Sequence, residues 1–467
     1  MQIPIIDGIY TDNGADFRTS YPINLVPVPK QQGISEGYLR PADGIRLFAS
    51  GSKPDRGGIN WNDICYRVLG DKFVKVEEDG SIIEYGTVVD NGKPVSMDYG
   101  FDLLAIASGG YLYYFDGTTV TKVTDPNIGA VLDVVWVDGY YMTTDGENLV
   151  VTDLNDPYSV NPLKYGSSEA DPDPIEAILK NRNEIYALNR YTIEIFNNVG
   201  GQLFPFARNV GAQIQKGAIG THACCVFQDK IAFVGGGHNE QVSVYIGVSS
   251  IAQKIGTREI DILLSQYSEA VLSTITVEYR NYRTHDFIYV HLPDFTLVYD
   301  EAASKAAGQF VWHILSGGVG ELSRYPAQNF VYAYNKWICG NPLNNDLGYF
   351  DEKISSQYGN KVTWEFGTRI TYAEGRGAIF NSLELVALTG RIEQGSTPQI
   401  STSYSLDGQQ WSQEKFISAG TLGQRKKRLE WRRQGFMNDW RIQRFRGDSD
   451  AFLSFARLEA NIEPLTW

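Results

Sequence analysis

Short apolar runs joined by Asp-Gly and Gly-Gly pairs recur along most of this chain, and they confine it to antiparallel β structure. Residues 103–108, 111–115 and 120–123 form three such runs, separated by Gly109-Gly110 and Asp116-Gly117. Residues 131–137, 140–144 and 149–153 repeat the order, with Asp138-Gly139 and Asp145-Gly146 between them. A tight hairpin turn needs positive φ at its centre, which Gly adopts freely and Asp tolerates. Asp-Gly between alternating apolar runs is therefore a strong hairpin signal. Further units begin at Ile175, with runs at 185–188 and 193–196, and at Ala223, with runs at 231–234 and 242–246. Starts fall roughly every 30 to 60 residues, the spacing of propeller blades. The reading is an all-β chain with a six- or seven-bladed β-propeller over residues 56–358. It rests on strand rhythm alone, because tryptophan-Asp and kelch signatures are absent.

The chain has 467 residues, more than one ordinary core accommodates, so more than one unit is expected. Its 47 Gly and 28 Tyr suit turns and half-buried strands respectively. Residues 1–55 read as an extended N-terminal arm, because Pro22, Pro27 and Pro29 fix φ and remove donors around a short apolar run. Ile260, Leu263, Leu264, Tyr267 and Val271 break the strand rhythm at helical spacing, which predicts one helix or helical turn within 257–273. Residues 359–467 carry a separate alternating pattern, at 362–372, 380–389, 398–405, 426–434, 440–446 and 451–462. They read as a C-terminal β-sandwich-like domain.

The formal net charge is −14, so the chain is not expected to grip nucleic acid over its whole surface. Against that background, residues 425–446 hold nine Arg or Lys and only Glu430 and Asp439, about +7, while the remainder is about −21. Arg425, Lys426, Lys427, Arg428, Trp431, Arg432, Arg433, Trp440, Arg441, Arg444 and Arg446 form the candidate protein-docking patch, since Arg and Trp favour interfaces. A solvated strand face and a contact with nucleic acid are the alternatives. Cys65, Cys224, Cys225 and Cys339 read as reduced thiols of a protein made in a reducing cytoplasm. Residues 1–10 lack the pattern of a secretory signal, and no apolar stretch approaches the ~20 residues of a membrane span.

Other motifs yield no chemistry. Ser405-Leu406-Asp407-Gly408-Gln409-Gln410-Trp411 resembles the Asp-box of sialidase propellers, one residue short, and that box is a turn-stabilising device. Gly235-Gly236-Gly237-His238 and Gly317-Gly318-Val319-Gly320 lack the Lys-Ser/Thr of a phosphate loop and read as flexible inter-strand loops. His222, His238, His285, His291 and His313 show no metal-ligand spacing, and no nucleophile elbow occurs. No catalytic residue, cofactor or metal is expected.

A family resemblance runs along nearly the whole chain as an ordered series. Asp16-Phe17, Asn24-Leu25-Val26-Pro27-Val28-Pro29, Gly37-Tyr38-Leu39-Arg40 and Asp43-Gly44-Ile45 open it. Thr192-Ile193-Glu194-Ile195-Phe196, Phe204-Pro205-Phe206 and Ile255-Gly256-Thr257-Arg258-Glu259-Ile260 continue it, with His285-Asp286-Phe287-Ile288-Tyr289-Val290, Tyr299-Asp300 and Trp312-His313 after them. Tyr404 to Trp411, then Gly423, Trp431 and Gly435, close it. Ala42 departs from the pattern, where a Pro is expected. The series resembles the packaged-DNA stabilisation proteins, or tail hubs and nozzles, of short-tailed phages of enteric bacteria. The resemblance implies a structural, non-enzymatic virion protein made in the host bacterial cytoplasm. It would form a homohexameric ring below the portal and its adaptor, meet the tail needle and tailspikes, and let double-stranded DNA pass without tight binding. The alternative is a glycan-binding or glycan-hydrolysing propeller tail protein, which predicts carboxylates and Trp clustered in one exposed groove.

Overall fold

Alternation of buried and exposed side chains, punctuated by positive-φ turns, builds nearly every element of the chain. A computed structural model describes residues 2–3, 5, 21–30, 37–154, 156–168, 171–318, 320–368, 370–372, 377–392 and 394–465. Asp16-Phe17 and Val319 lie outside them. Seven antiparallel sheets follow one another, spanning 55–87, 96–122, 133–167, 175–214, 217–254, 276–315 and 328–351. We number them 1 to 7. Asp138 (φ 49°) and Gly139 (φ 89°) make the first turn of sheet 3 in the left-handed conformation that the Asp-Gly pair supplies.

Neighbouring sheets share their cores, and this makes a ring. Trp61, Tyr66 and Phe73 of sheet 1 pack with Leu104 and Phe115 of sheet 2. Tyr114 of sheet 2 packs with Val134 and Tyr141 of sheet 3. Equivalent clusters join each later pair, and Val331 and Ile338 of sheet 7 return to Cys65 and Val74 of sheet 1. Each buried aromatic or aliphatic side chain contributes about 1.5–3 kcal/mol. The ring is a β-propeller whose seventh sheet is completed from the other end of the chain. Its outer strand is Gly44–Ser50, paired antiparallel with Asp346–Asp351.

The first strands of the sheets face the centre without pairing to one another, so their amide groups need other acceptors. Carboxylates from the preceding sheet supply some of them. Asp98 accepts from the Trp136 amide at 2.6 Å, and Asp133 from the Ile178 amide at 2.9 Å. Glu278 accepts from the amides of Asn329 (3.0 Å) and Phe330 (2.8 Å). Part of the propeller's acidity is thus consumed in holding sheet to sheet.

The helical spacing near 260 gives Arg258–Ser265, capped by Thr257, and a short second helix, Glu269–Leu272. Ile260, Leu263 and Leu264 pack into the core between sheets 5 and 6. A third helix, Glu301–Ala307, follows Asp300, whose carboxylate accepts from the Ala303 amide.

The C-terminal unit is a two-sheet β-sandwich around one core, which includes Trp364, Phe366, Phe380, Phe445 and Phe455. One sheet contains Thr363–Gly367, Trp440–Asp448, Gln399–Ser405 and Lys415–Ser418. The other runs in the order Leu25–Pro29, Gly37–Pro41, Ser454–Pro464, Ala378–Leu388, Leu429–Arg432, with Gln2–Ile3 also paired to Ser454–Pro464. The segment read from sequence as an extended arm over 1–55 is therefore divided. Its first strands complete the sandwich, Gly44–Ser50 closes the propeller, and its last residue, Asp55, opens sheet 1. Pro27 and Pro29 fit because they lie on an edge strand, where a missing donor costs no ladder hydrogen bond.

The junction of the two units is buried and polar. The Asn24 amide donates to the Ile314 carbonyl of sheet 6, while its side-chain amide donates to the Thr363 carbonyl of the sandwich (both 2.8 Å). Asp43 sits between Arg40 and Arg280, 2.8 Å from each. Burial opposes its ionisation, but the two guanidinium groups prevail and hold its pKa at about 2.

Candidate docking surface

The basic window does not form one continuous surface, because it follows a turn, two short strands and one central strand in succession. Arg425, Lys426, Lys427 and Arg428 lie on an exposed turn at one end of the sandwich, ahead of Leu429–Arg432. The Thr389 hydroxyl and the Gly390 carbonyl hold this turn by bonds to the Gln424 carbonyl (3.0 Å) and the Gly423 amide (3.0 Å). Arg428 makes a two-point pair with Glu384, at 2.8 and 2.5 Å. Arg425, Lys426 and Lys427 have no carboxylate partner among the described residues. Arg432 is exposed and 3.3 Å from Glu430, and Arg433 is exposed at a positive-φ position.

The other residues face inward. Trp431 is buried in the sandwich core, and its indole N–H donates to the Lys415 carbonyl at 2.9 Å. Arg441 is 1% exposed, with its guanidinium 4.2 Å from the Phe380 ring centre and 3.8 Å from that of Tyr404. It also donates to the Gln434 carbonyl (2.6 Å) and the Gln443 side chain (2.8 Å). Arg444 lies 4.1 Å over Trp411, and Arg446 is bonded to Glu365 and Glu414. Trp440 is half-buried. These arginines are internal fasteners, since a planar cation stacked on aromatic rings contributes packing as well as charge. The exposed subset available to a partner is Arg425, Lys426, Lys427, Arg432 and Arg433. A period-two reading separates part of this from sequence, because Arg441 and Gln443 share a strand face with the apolar Phe445.

The charge difference extends to whole units. Residues 1–359 carry 26 basic and 43 acidic residues, net −17, whereas residues 360–467 carry 15 and 12, net +3. A cleft of about 780 Å³ separates the units and is lined by Arg283, Lys353, Arg391, Leu422 and Asp450, among others.

The remaining sequence motifs have structural explanations. The Ser405 hydroxyl accepts from the Gly408 amide (2.9 Å), and Asp407 accepts from the Gln409 and Gln410 amides (2.9 and 2.7 Å). These bonds stabilise the turn and keep the Asp407 carboxyl below its ordinary range. Gly235 and Gly236, read as a flexible loop, instead end the strand Lys230–Gly236. A Cβ on Gly235 would lie 1.8 Å from the Gly217 carbonyl, so glycine is required by close strand approach. His222 lies ahead of the strand Cys224–Phe227 of sheet 5, and its carbonyl accepts from the Val277 amide of sheet 6 at 2.8 Å. Burial brings that imidazole down to about 4, against the pull of Glu278. None of the eight described tryptophans is exposed, contrary to the groove expected of the glycan reading.

Comparison with known proteins covers both units in order. The family described as bacteriophage P22 Gp10, beta-propeller, matches residues 1–355, and that described as bacteriophage P22 Gp10, beta-sandwich, matches residues 363–463. The tail hub protein gp10 of Salmonella phage P22 is 29% identical over 456 residues, covering 93% of each chain. Among solved structures, the Neurospora crassa Pan2 WD40 domain is similar to 66% of this chain and 95% of its own, at 10% identity and TM-score 0.44. The N-terminal domain of Nup159 is similar to 70% of this chain and 98% of its own, at 8% identity and TM-score 0.41.

Proposed function

Since this chain belongs to the bacteriophage P22 Gp10 family through both its propeller and its sandwich, we propose that it is a structural tail-hub protein of a short-tailed phage. The observation that carries the reading is the collinear match of both units to one phage protein over 93% of its length. In the virion tail the protein stabilises the packaged genome and forms part of the path by which it leaves. It works as a wall and a joint, without turnover.

The physical character of the molecule supports this role. An acidic propeller repels phosphate, so duplex DNA can slide past it without being held. Repeated copies, six in the family reading, close into a ring below the portal adaptor. The tail needle and tailspikes attach to the same assembly. The sandwich, with its exposed basic turn, is the docking unit.

Phage lacking this chain should fill their heads and then lose their DNA. Nuclease-resistant DNA per purified head measures this directly. Heads that keep a full genome without the chain would remove the stabilising role.

A further inference from the structure

We propose that the basic turn of the sandwich docks on the acidic, apolar turn face of sheets 2 and 3 of a second copy. The inference rests on the tail-hub reading and adds which two surfaces meet. In a four-stranded meander the first and third turns fall on one rim of the sheet and the second on the other. On sheets 2 and 3 the first-and-third rim presents Phe101, 86% exposed, beside Asp102, with Asp116 and Asp138 on the neighbouring turns. Leu154 (50%) and, on sheet 4, Val199 (63%) lie on the same rim. Eleven of the 29 exposed large apolar side chains among the described residues fall between Tyr99 and Val210. The first and third turns of sheets 2 and 3 carry Asp102, Asp116, Asp138, Asp153 and Asp156 against Lys164 alone, whereas the first turn of sheet 4 carries Arg182. Apolar side chains ringed by one sign of charge mark an interaction surface rather than a solvated one.

The complementary surface lies at the other end of the chain. Arg425, Lys426 and Lys427 project beside Leu388 (67% exposed) and Leu422 (57%). The sandwich rests against sheet 6, where Ile23 bridges Ile314 of the propeller and Glu365 of the sandwich. In a ring of seven, sheet 3 lies nearly opposite, so the two poles cannot meet within one molecule. Opposite poles on one body give head-to-tail contacts, which use each pole once and close when the rotation permits. Charge complementarity of this kind also fixes register between copies.

Charge exchange in the full-length protein tests the pairing. Replacing Arg425, Lys426 and Lys427 together by Glu should weaken self-association at least tenfold in sedimentation. Replacing Asp102, Asp116 and Asp138 together by Lys should do the same. Both sets in one chain should restore assembly, and circular dichroism should show each variant folded. In virions, a carbodiimide should join Lys426 or Lys427 to Asp102, Asp116 or Asp138 of a neighbouring copy. Single-set variants that assemble as the parent does, or virion cross-links from these lysines to other carboxylates only, would overturn the pairing and leave the hub role standing. Virions that hold one isolated copy of the chain, or none, would overturn the hub role itself.

Discussion

The propeller and the sandwich solve the same problem, burying one face of a β-sheet, in opposite ways. Each propeller sheet shares its core with two neighbours, so the unit is stabilised by repetition, and a local loss is spread around the ring. The sandwich has one core between two sheets and needs strands from the far end of the chain to complete it. Charge follows the division only in part. Both units stack arginines on aromatic rings, Arg280 on Phe350 in the propeller and Arg441 on Phe380 and Tyr404 in the sandwich, but the propeller also spends carboxylates on amide groups between sheets. The lesson is that a repeated unit draws on many equivalent contacts, whereas a single-core unit draws on fewer, each of long sequence separation.

Removal of residues 1–41 should break this comparison most severely. The sandwich loses its N-terminal strands, while Gly44–Ser50 still closes sheet 7. Calorimetry should retain the propeller transition and lose that of the sandwich. Loss of both transitions would show that the propeller depends on the sandwich as well.

Asp43→Ala strikes the junction next. It strands the buried Arg280 without its carboxylate, and such losses cost roughly 3–5 kcal/mol. Denaturant titration should show the midpoint fall with the slope unchanged. The ion pair is also acid-sensitive. Because the folded pKa of Asp43 is about 2, below the ordinary 3.8, its contribution is complete above the ordinary value and disappears as pH falls through about 2.

Arg441→Met should be milder, since methionine keeps an apolar contact with the Phe380 and Tyr404 rings and strands no buried charge, although the guanidinium stacking is lost and the Gln434 carbonyl and the Gln443 amide oxygen are left without donors. Each such group costs about 1–3 kcal/mol. The sandwich transition should move and the propeller transition should not.

His313→Phe tests the propeller by titration. Burial, with Arg40 and His285 nearby, brings this imidazole down to about 3 from 6.5. The unfolded chain takes up the proton first, so stability falls as pH drops from 6.5 towards 3. The substitution should flatten that part of the stability–pH curve by on the order of 2 kcal/mol. Lys426→Ala, exposed and without a carboxylate partner among the described residues, should shift folding stability by no more than about 0.5 kcal/mol.

The propeller was legible because its signals are local. Asp138-Gly139 and Asp145-Gly146 set turns whose flanking runs become strands with little help from elsewhere. The short first strand Ser96–Tyr99 was missed, since its polar face serves neighbouring amides and shows no apolar alternation. The fate of the N-terminal segment was not legible either. Leu25–Pro29 pairs with Gly37–Pro41 and through it reaches Phe455, and no local pattern encodes a partner more than 400 residues away. The basic window was read correctly as a charge anomaly but not as two populations. Arg441 and Lys426 look alike in composition, and only the central strand's position between Thr363–Gly367 and Gln399–Ser405 buries the first.

Electron cryo-microscopy of the intact virion tail tests the account most directly. It should show several copies of this chain closed into a ring about the tail axis, propellers and sandwiches alternating in contact, with the genome's path running between copies. Density for the chain only on peripheral fibres, or copies that leave the axis open, would contradict it.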